Sequence, residues 1–99
     1  MLNITMNEAG GAAVILLEGH LDTVTAPDLE AVLNDCCPAA DSLVLDFAGV
    51  DYISSSGLRV LLTAHKAMAN KGGLKLIHAN GMIREIFDMT GFSGILTIE

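Results

Sequence analysis

The sequence predicts an α/β domain in which a mixed, mostly parallel sheet carries an antiparallel hairpin at its N-terminal edge and about three helices. Two observations lead there. After an opening pair of strand-like segments, short apolar runs alternate with amphipathic stretches of helical period, and Gly, Pro or hydroxyl clusters mark each change of period. Of the 99 residues, 52% are apolar and 17% charged, which suits one packed domain built without metal or disulfides.

The elements follow in order. Residues 2–6 alternate apolar and polar side chains, 7–11 are turn-like, and 12–17 form an apolar run suited to an internal strand. Gly19 ends that strand. Thr23 or Thr25 can then cap a helix with Pro27 in its tolerant first turn, which should run to about Cys37 and bury Ala26, Leu29, Val32, Leu33 and Cys36. A second strand–helix unit begins at Ser42. Its run Leu43, Val44, Leu45 reads as a strand covered on both faces, and the apolar pattern continues to Ile53. A helix is expected from about Ser56 to Asn70, with Leu58, Leu61, Leu62, His65 and Met68 on its buried stripe and Arg59, Thr63, Lys66 and Asn70 opposite. Gly72 and Gly73 close it. A strand over 74–78, a helix over 82–90 carrying Ile83, Ile86 and Phe87 with Met89 beside them, a stop at Gly91 and a strand over 95–98 complete the chain.

The most informative stretch is Asp46-Phe-Ala-Gly-Val-Asp-Tyr-Ile-Ser-Ser-Ser-Gly-Leu-Arg-Val-Leu-Leu62, where three hydroxyls stand between a strand and a helix start. Free N–H groups and the positive end of the helix dipole favour an acceptor oxygen or an anion at that place. The serines can form a cap and turn, or one of them can be a site where phosphate is added and removed. This stretch resembles the signature of the STAS domain, as found in bacterial anti-sigma factor antagonists. Three other segments agree in order and spacing: Leu17-Glu-Gly-His-Leu-Asp-Thr-Val-Thr-Ala26, Gly72-Gly-Leu-Lys-Leu-Ile77 and Ile83-Arg-Glu-Ile-Phe-Asp-Met-Thr-Gly-Phe92. The resemblance therefore covers nearly the whole chain as one STAS domain, residues 1–99.

By that resemblance Ser55, two residues before Gly57, is the position of the phosphorylated serine. A phosphate in the first helical turn is compatible with the fold, since it meets N–H groups and the dipole. The implied partner-binding surface joins Asp22 and Thr23 to Ser54, Ser55, Ser56 and Gly57, and continues along Arg59 and Thr63. Gly57 is expected to supply either a positive φ or room for a partner's close approach. Family members usually carry Asp at the position of Ser54 and often a small residue at that of Arg59. Arg59 lies one helical turn beyond Ser55, where it could pair with a phosphate or with an acidic partner, or stand as a solvated charge. Asp22 and Asp51 read as loop braces that help shape the docking surface; with Asp46, as a trio, they could also hold a metal or serve acid/base chemistry.

Other functions find little support. Twelve Asp and Glu oppose five Lys and Arg, a formal net charge of -7, so the basic face that nucleic acid requires is missing. Cys36 and Cys37 are adjacent near a helix end, pointing about 100° apart, and read as reduced, partly buried helix residues. The three histidines lack metal-ligand spacing, and Gly-x-Ser-x-Gly is absent. No apolar run reaches the roughly 18 residues a membrane span needs, and no secretory leader is read at the start, so a cytoplasmic protein is expected. The resemblance implies a non-enzymatic protein without cofactor, a monomer or weak homodimer. Its partners would be an anti-sigma factor acting as an ATP-dependent serine kinase and a protein serine phosphatase. A second reading is a STAS binding subunit of a transporter ATPase complex of the lipid-transport type; a third, from a different class, is a small acidic hydrolase or nucleotide-binding protein.

Overall fold

The computed structural model describes residues 2–99. Five strands form one sheet in the order β1-β2-β3-β4-β5: β1 Leu2–Ala9, β2 Ala12–Leu21, β3 Ser42–Ile53, β4 Leu74–Ile77 and β5 Thr97–Ile98. The β1–β2 pair is antiparallel and every later pair is parallel, the mixed sheet with an N-terminal edge hairpin that the sequence predicts. The hairpin is tighter than expected. Ala9 pairs with Ala12, so only Gly10 and Gly11 form the loop, and their φ values of 59° and 88° supply the consecutive left-handed conformations of a primed two-residue turn.

Three helices, α1 Ala26–Cys36, α2 Ser55–Met68 and α3 Gly81–Thr90, cross between the parallel strands. All three press on the same core. Ala13, Ile15 and Leu17 of β2, Leu43, Leu45 and Phe47 of β3, and Leu74 and Leu76 of β4 are buried against Leu29 and Leu33 of α1, Leu58, Leu61 and Met68 of α2, and Ile83 and Phe87 of α3. Phe47 and Phe87, both fully buried, tilt at 55° with their centroids 6.3 Å apart and seat α3 on β3. The alternate residues Val14, Val44, Asp46, Lys75 and Ile77 are only half-buried, and Leu16 and Glu18 are exposed. β3 is thus covered on one face rather than two. Its continuous apolar run reflects Val44 on an open face flanked by other strands.

Two further readings are corrected. Met89 is 79% exposed, because two residues beyond Phe87 it stands about 200° round the helix. The last strand begins only at Thr97, since a short 3-10 turn over Phe92–Gly94 uses the preceding residues and buries Leu96. The predicted stripe of α2 is realised, with Leu58, Leu61 and Met68 buried, Leu62 and His65 half-buried, and Arg59, Thr63, Lys66 and Asn70 exposed. Val60 and Ala64 join its buried side.

Cys36 and Cys37 are free and buried at the end of α1. Burial pushes the Cys36 thiol up to about 11, with its neighbour Cys37 adding to the effect, and burial raises Cys37 as well. Both thiols are therefore protonated and poorly nucleophilic at neutral pH. No basic residue stands in the last turn of α1 to meet its free carbonyls. Lys71, in the loop after α2, reaches the C-cap and the loop beyond it: its Nζ donates to the carbonyl oxygens of Cys37 at 2.8 Å, Pro38 at 3.0 Å and Ala40 at 3.0 Å. These charge-assisted bonds lock the α1–β3 loop to the α2–β4 loop at the end of the sheet opposite the serines. Lys71→Met, which keeps the aliphatic stem, should lower stability by about 1–3 kcal/mol in urea unfolding; an unchanged midpoint would mean that solvent replaces the ammonium at no cost.

Candidate functional site

The serine turn owes its position to two irregularities in β3. Between the pairs Leu16↔Asp46 and Glu18↔Gly49, β3 advances three residues while β2 advances two, and between Gly19↔Val50 and His20↔Tyr52 it advances two while β2 advances one. Each is a bulge with an extra residue on β3. The buried positions of β3 accordingly change from every second residue at Leu43, Leu45 and Phe47 to every third at Val50 and Ile53. Gly49 fits here because a Cβ would come 2.6 Å from Glu18 Cγ. The ladder then closes at Leu21↔Ile53, and the Ser54 amide donates to the Leu21 carbonyl at 2.9 Å, which sets the β2–α1 loop and the β3–α2 turn side by side.

Ser54, with extended dihedrals, is the N-cap of α2, its Oγ accepting from the Gly57 amide at 3.3 Å. The helix therefore starts at Ser55, one residue earlier than the pattern of apolar residues suggests. Ser56 is half-buried, and its Oγ shares a hydrogen bond with Thr23 Oγ1 at 3.3 Å. Ser55 is exposed, and its Oγ has no hydrogen-bond partner among the described residues. Three adjacent serines thus divide into a cap, a bridge and one uncommitted hydroxyl.

Gly57 is buried and lacks a positive φ. A Cβ there would lie 2.7 Å from Leu21 Cγ, 3.0 Å from Ile53 Cγ1 and 3.1 Å from the Leu21 carbonyl oxygen. Its role is the close approach of α2 to the ends of β2 and β3. The left-handed backbone offered by the sequence as one role for Gly57 does not apply, because what the position requires is room beside the protein's own core.

The opposite loop is built on Asp22. Its Oδ1 accepts from the amides of Val24 at 2.9 Å and Thr25 at 3.0 Å, and its carbonyl accepts from the Ala26 amide at 2.8 Å. The carboxylate thus fixes the turn that leads into α1, a helix without a side-chain cap bond. Thr25, though at the N-cap, instead donates its hydroxyl to the His20 carbonyl at 2.7 Å and accepts from the Asp22 amide at 2.9 Å. The amide of Thr25 chiefly, with help from Val24 and the Thr25 hydroxyl and against partial desolvation, holds the Asp22 pKa below its usual value. Asp51 accepts from His20 Nδ1 at 2.6 Å, and Asp46 accepts from the Ala48 amide at 2.9 Å and from His78 Nδ1 at 3.1 Å. Asp22 braces its own loop, whereas Asp51 ties β3 to β2 and Asp46 ties β3 to the end of β4, and among the described residues no group of three His, Cys, Asp or Glu is placed to hold a metal. The third loop at this end is tied in by Asn80, which caps α3 through the Ile83 amide and donates to the Val50 carbonyl at 3.1 Å.

Between the starts of α1 and α2 lies a cleft of about 170 Å³ whose rim includes Thr23, Glu30, Ser56 and Arg59 and whose floor includes Ala26 and Val60. Arg59 and Thr63 are exposed along α2, with the Thr63 hydroxyl turned back to the Arg59 carbonyl at 3.1 Å. Val24, 82% exposed beside Thr23, and Tyr52, 47% exposed and edge-on to His20, add apolar surface that the sequence reading passed over. A large apolar residue inside a hydroxyl-rich loop was the available signal.

The model of the STAS domain matches residues 3–99. The chain belongs to the STAS family. A relative from Bordetella bronchiseptica that bears the name of an anti-sigma factor antagonist, BtrV, is 33% identical over 98% of this chain and 85% of its own length. The anti-sigma-B factor antagonist of Bacillus subtilis is 26% identical over 99% of this chain and 91% of its own. The crystal structure of an anti-sigma factor antagonist from Mycobacterium paratuberculosis superposes with a TM-score of 0.90 at 22% identity, covering 99% of this chain and 85% of that one. The Bacillus cell fate determinant SpoIIAA in its phosphorylated form matches with a TM-score of 0.76 at 18% identity over 98% of this chain and 91% of its own. Both structures share the STAS fold with this chain. No helix among the described residues is long and apolar enough to cross a membrane.

Two outcomes are expected of the STAS framework itself. Gly57→Val must displace α2 from Leu21 and should cost about 1–3 kcal/mol; unfolding at the wild-type midpoint would show that the first turn of α2 moves away freely. For Asp22 the folded-state pKa lies below the unfolded one, so its contribution is complete above about pH 4 and disappears as the pH falls through the lowered value. Thermal unfolding followed down to about pH 2.5 should therefore show Asp22→Ala losing less stability on acidification than wild type; parallel curves would mean that the loop amides do not need the carboxylate.

Proposed function

We propose that this chain is an anti-sigma factor antagonist, a binding domain whose partner is an anti-sigma factor with serine kinase activity, and that phosphate on Ser55 switches the interaction. The observation that carries the reading is the division of labour among the serines: Ser54 caps, Ser56 bridges to Thr23, and Ser55 alone projects an uncommitted hydroxyl from a helix start. The names of the relatives support it, since they are anti-sigma factor antagonists that align with nearly all of this chain.

In the proposed cycle Ser55 Oγ attacks the γ-phosphorus of ATP bound to the kinase. An O–P bond forms as the bond to ADP breaks, and the hydroxyl proton passes to a base of the kinase. A protein serine phosphatase reverses the state with water, giving serine and inorganic phosphate. The docking surface comprises Thr23, Val24, Ser55, Arg59 and Thr63, with Ser54 and Ser56 half-buried at its centre and Asp22 shaping it from behind. Adding a dianion there opposes a partner through charge and size, while the α2 start accepts it without unfolding.

The test begins with capture of bound proteins from native extract, among which a kinase-fold ATPase is expected. Incubation with that kinase and ATP should place a single phosphate on Ser55 by mass spectrometry. Ser55→Ala should bind but resist phosphorylation, and Ser55→Asp should bind about tenfold or more weakly, at least about 1.4 kcal/mol, with circular dichroism unchanged. Absence of phosphate together with wild-type affinity of Ser55→Asp would reject the switch.

A further inference from the structure

No Lys or Arg precedes Arg59 in the chain, and among the described residues Arg59 is the one cation lining the cleft between the starts of α1 and α2, where Glu30 is the one carboxylate. Arg59 is exposed and enters none of the ion pairs among the described residues, so its guanidinium is uncommitted. Helical side chains lean toward the N-terminus of their helix and cover the preceding turn. That turn holds Ser55 and Ser56, four and three residues before Arg59. Ser56 is engaged by Thr23, whereas Ser55 Oγ is open. A phosphate on Ser55 would therefore project into the space that the guanidinium sweeps, at the spacing where oppositely charged helical side chains meet, and its oxygens match the planar donor fork of arginine.

We propose that Arg59 is the intramolecular counter-ion of a phosphate on Ser55, so that phosphorylation adds a dianion and also withdraws the one cation that the unmodified cleft offers a partner. The inference rests on the reading of Ser55 as the modified residue. In the unmodified chain Arg59 is available to a carboxylate on the partner's docking surface. Once Ser55 carries phosphate, the guanidinium is taken up within the chain, and a partner that had engaged it loses its ion pair and meets residual negative charge. An exposed pair of this kind is weak enough to open, which leaves the phosphate accessible for hydrolysis.

The experiment installs phosphoserine at position 55 during synthesis and so needs no kinase or partner. Its second ionisation is followed by 31P NMR in the wild-type background, in Arg59→Gln and in Lys66→Ala. A neighbouring cation favours the dianion, so the wild-type phosphate should titrate about 0.3 pH unit or more below that of Arg59→Gln. Lys66→Ala, which removes a cation about three turns from Ser55, should titrate with wild type. Equal titration of wild type and Arg59→Gln, or an equal shift in Lys66→Ala, would overturn the proposal. Absence of kinase-dependent phosphorylation would instead undo the reading of Ser55 as a switch, and the two failures are separately visible.

Discussion

The site depends on how closely the first turn of α2 approaches the end of β2. Gly57 rests on Leu21 with no room for a Cβ, and the Ser54 amide reaches the Leu21 carbonyl. Because Leu21 is fully buried and begins the loop that carries Asp22 and Thr23, this contact fixes one loop relative to the other. The two β3 bulges make the contact possible. They change the stagger of β3 against β2 so that Ile53 stands beside Leu21 and the chain turns into α2 at that level.

Around this seam the polar groups are arranged so that nearly everything is satisfied within the protein. Ser54 and Asn80 meet free amides at the starts of α2 and α3, and Asp22 meets those of the turn that leads into α1, all at one end of the sheet. His20 and His78 are each held by an aspartate. Against that background the hydroxyl of Ser55 and the guanidinium of Arg59 stand out, because neither has a partner among the described residues and each can engage another molecule. In the proposed switch, these fixed surroundings would let a charge added at Ser55 act on recognition instead of being absorbed by rearrangement of the loop.

The far end of the sheet obeys the same requirement by other means. The last turn of α1 has no cation of its own, and Lys71 arrives from a loop more than thirty residues later to bond the carbonyl of the C-cap, Cys37, and those of Pro38 and Ala40 in the loop beyond it. Since the helices cover only one face of the sheet, loops at both ends hold the α/β units together where a second helical layer would otherwise do so. The open face, with Val44 and Ile77 half-buried, survives as a flank of pairs such as Leu16 beside Asp46.

Periodicity made much of this legible in the chain alone. The hydrophobic stripe of α2, the Gly10–Gly11 hairpin, the stop at Gly91 and the serine turn are local properties, written in spacings of two, three or four residues and in the φ preferences of glycine. Family resemblance then singled out Ser55 within the turn. Non-local matters were not legible. That Gly57 would be needed for contact with Leu21 and not for its backbone angle, and that β3 would be covered on one face, both depend on which strand lies beside which and in what register. Two bulges altered that register, and bulges of this kind leave no periodic signature because each adds one residue whose cost and benefit are settled by the neighbouring strand. The same holds for the serines. Their hydroxyls are chemically identical in the chain, and only the neighbours brought to each in space, the Gly57 amide for Ser54, Thr23 for Ser56 and none among the described residues for Ser55, make them different.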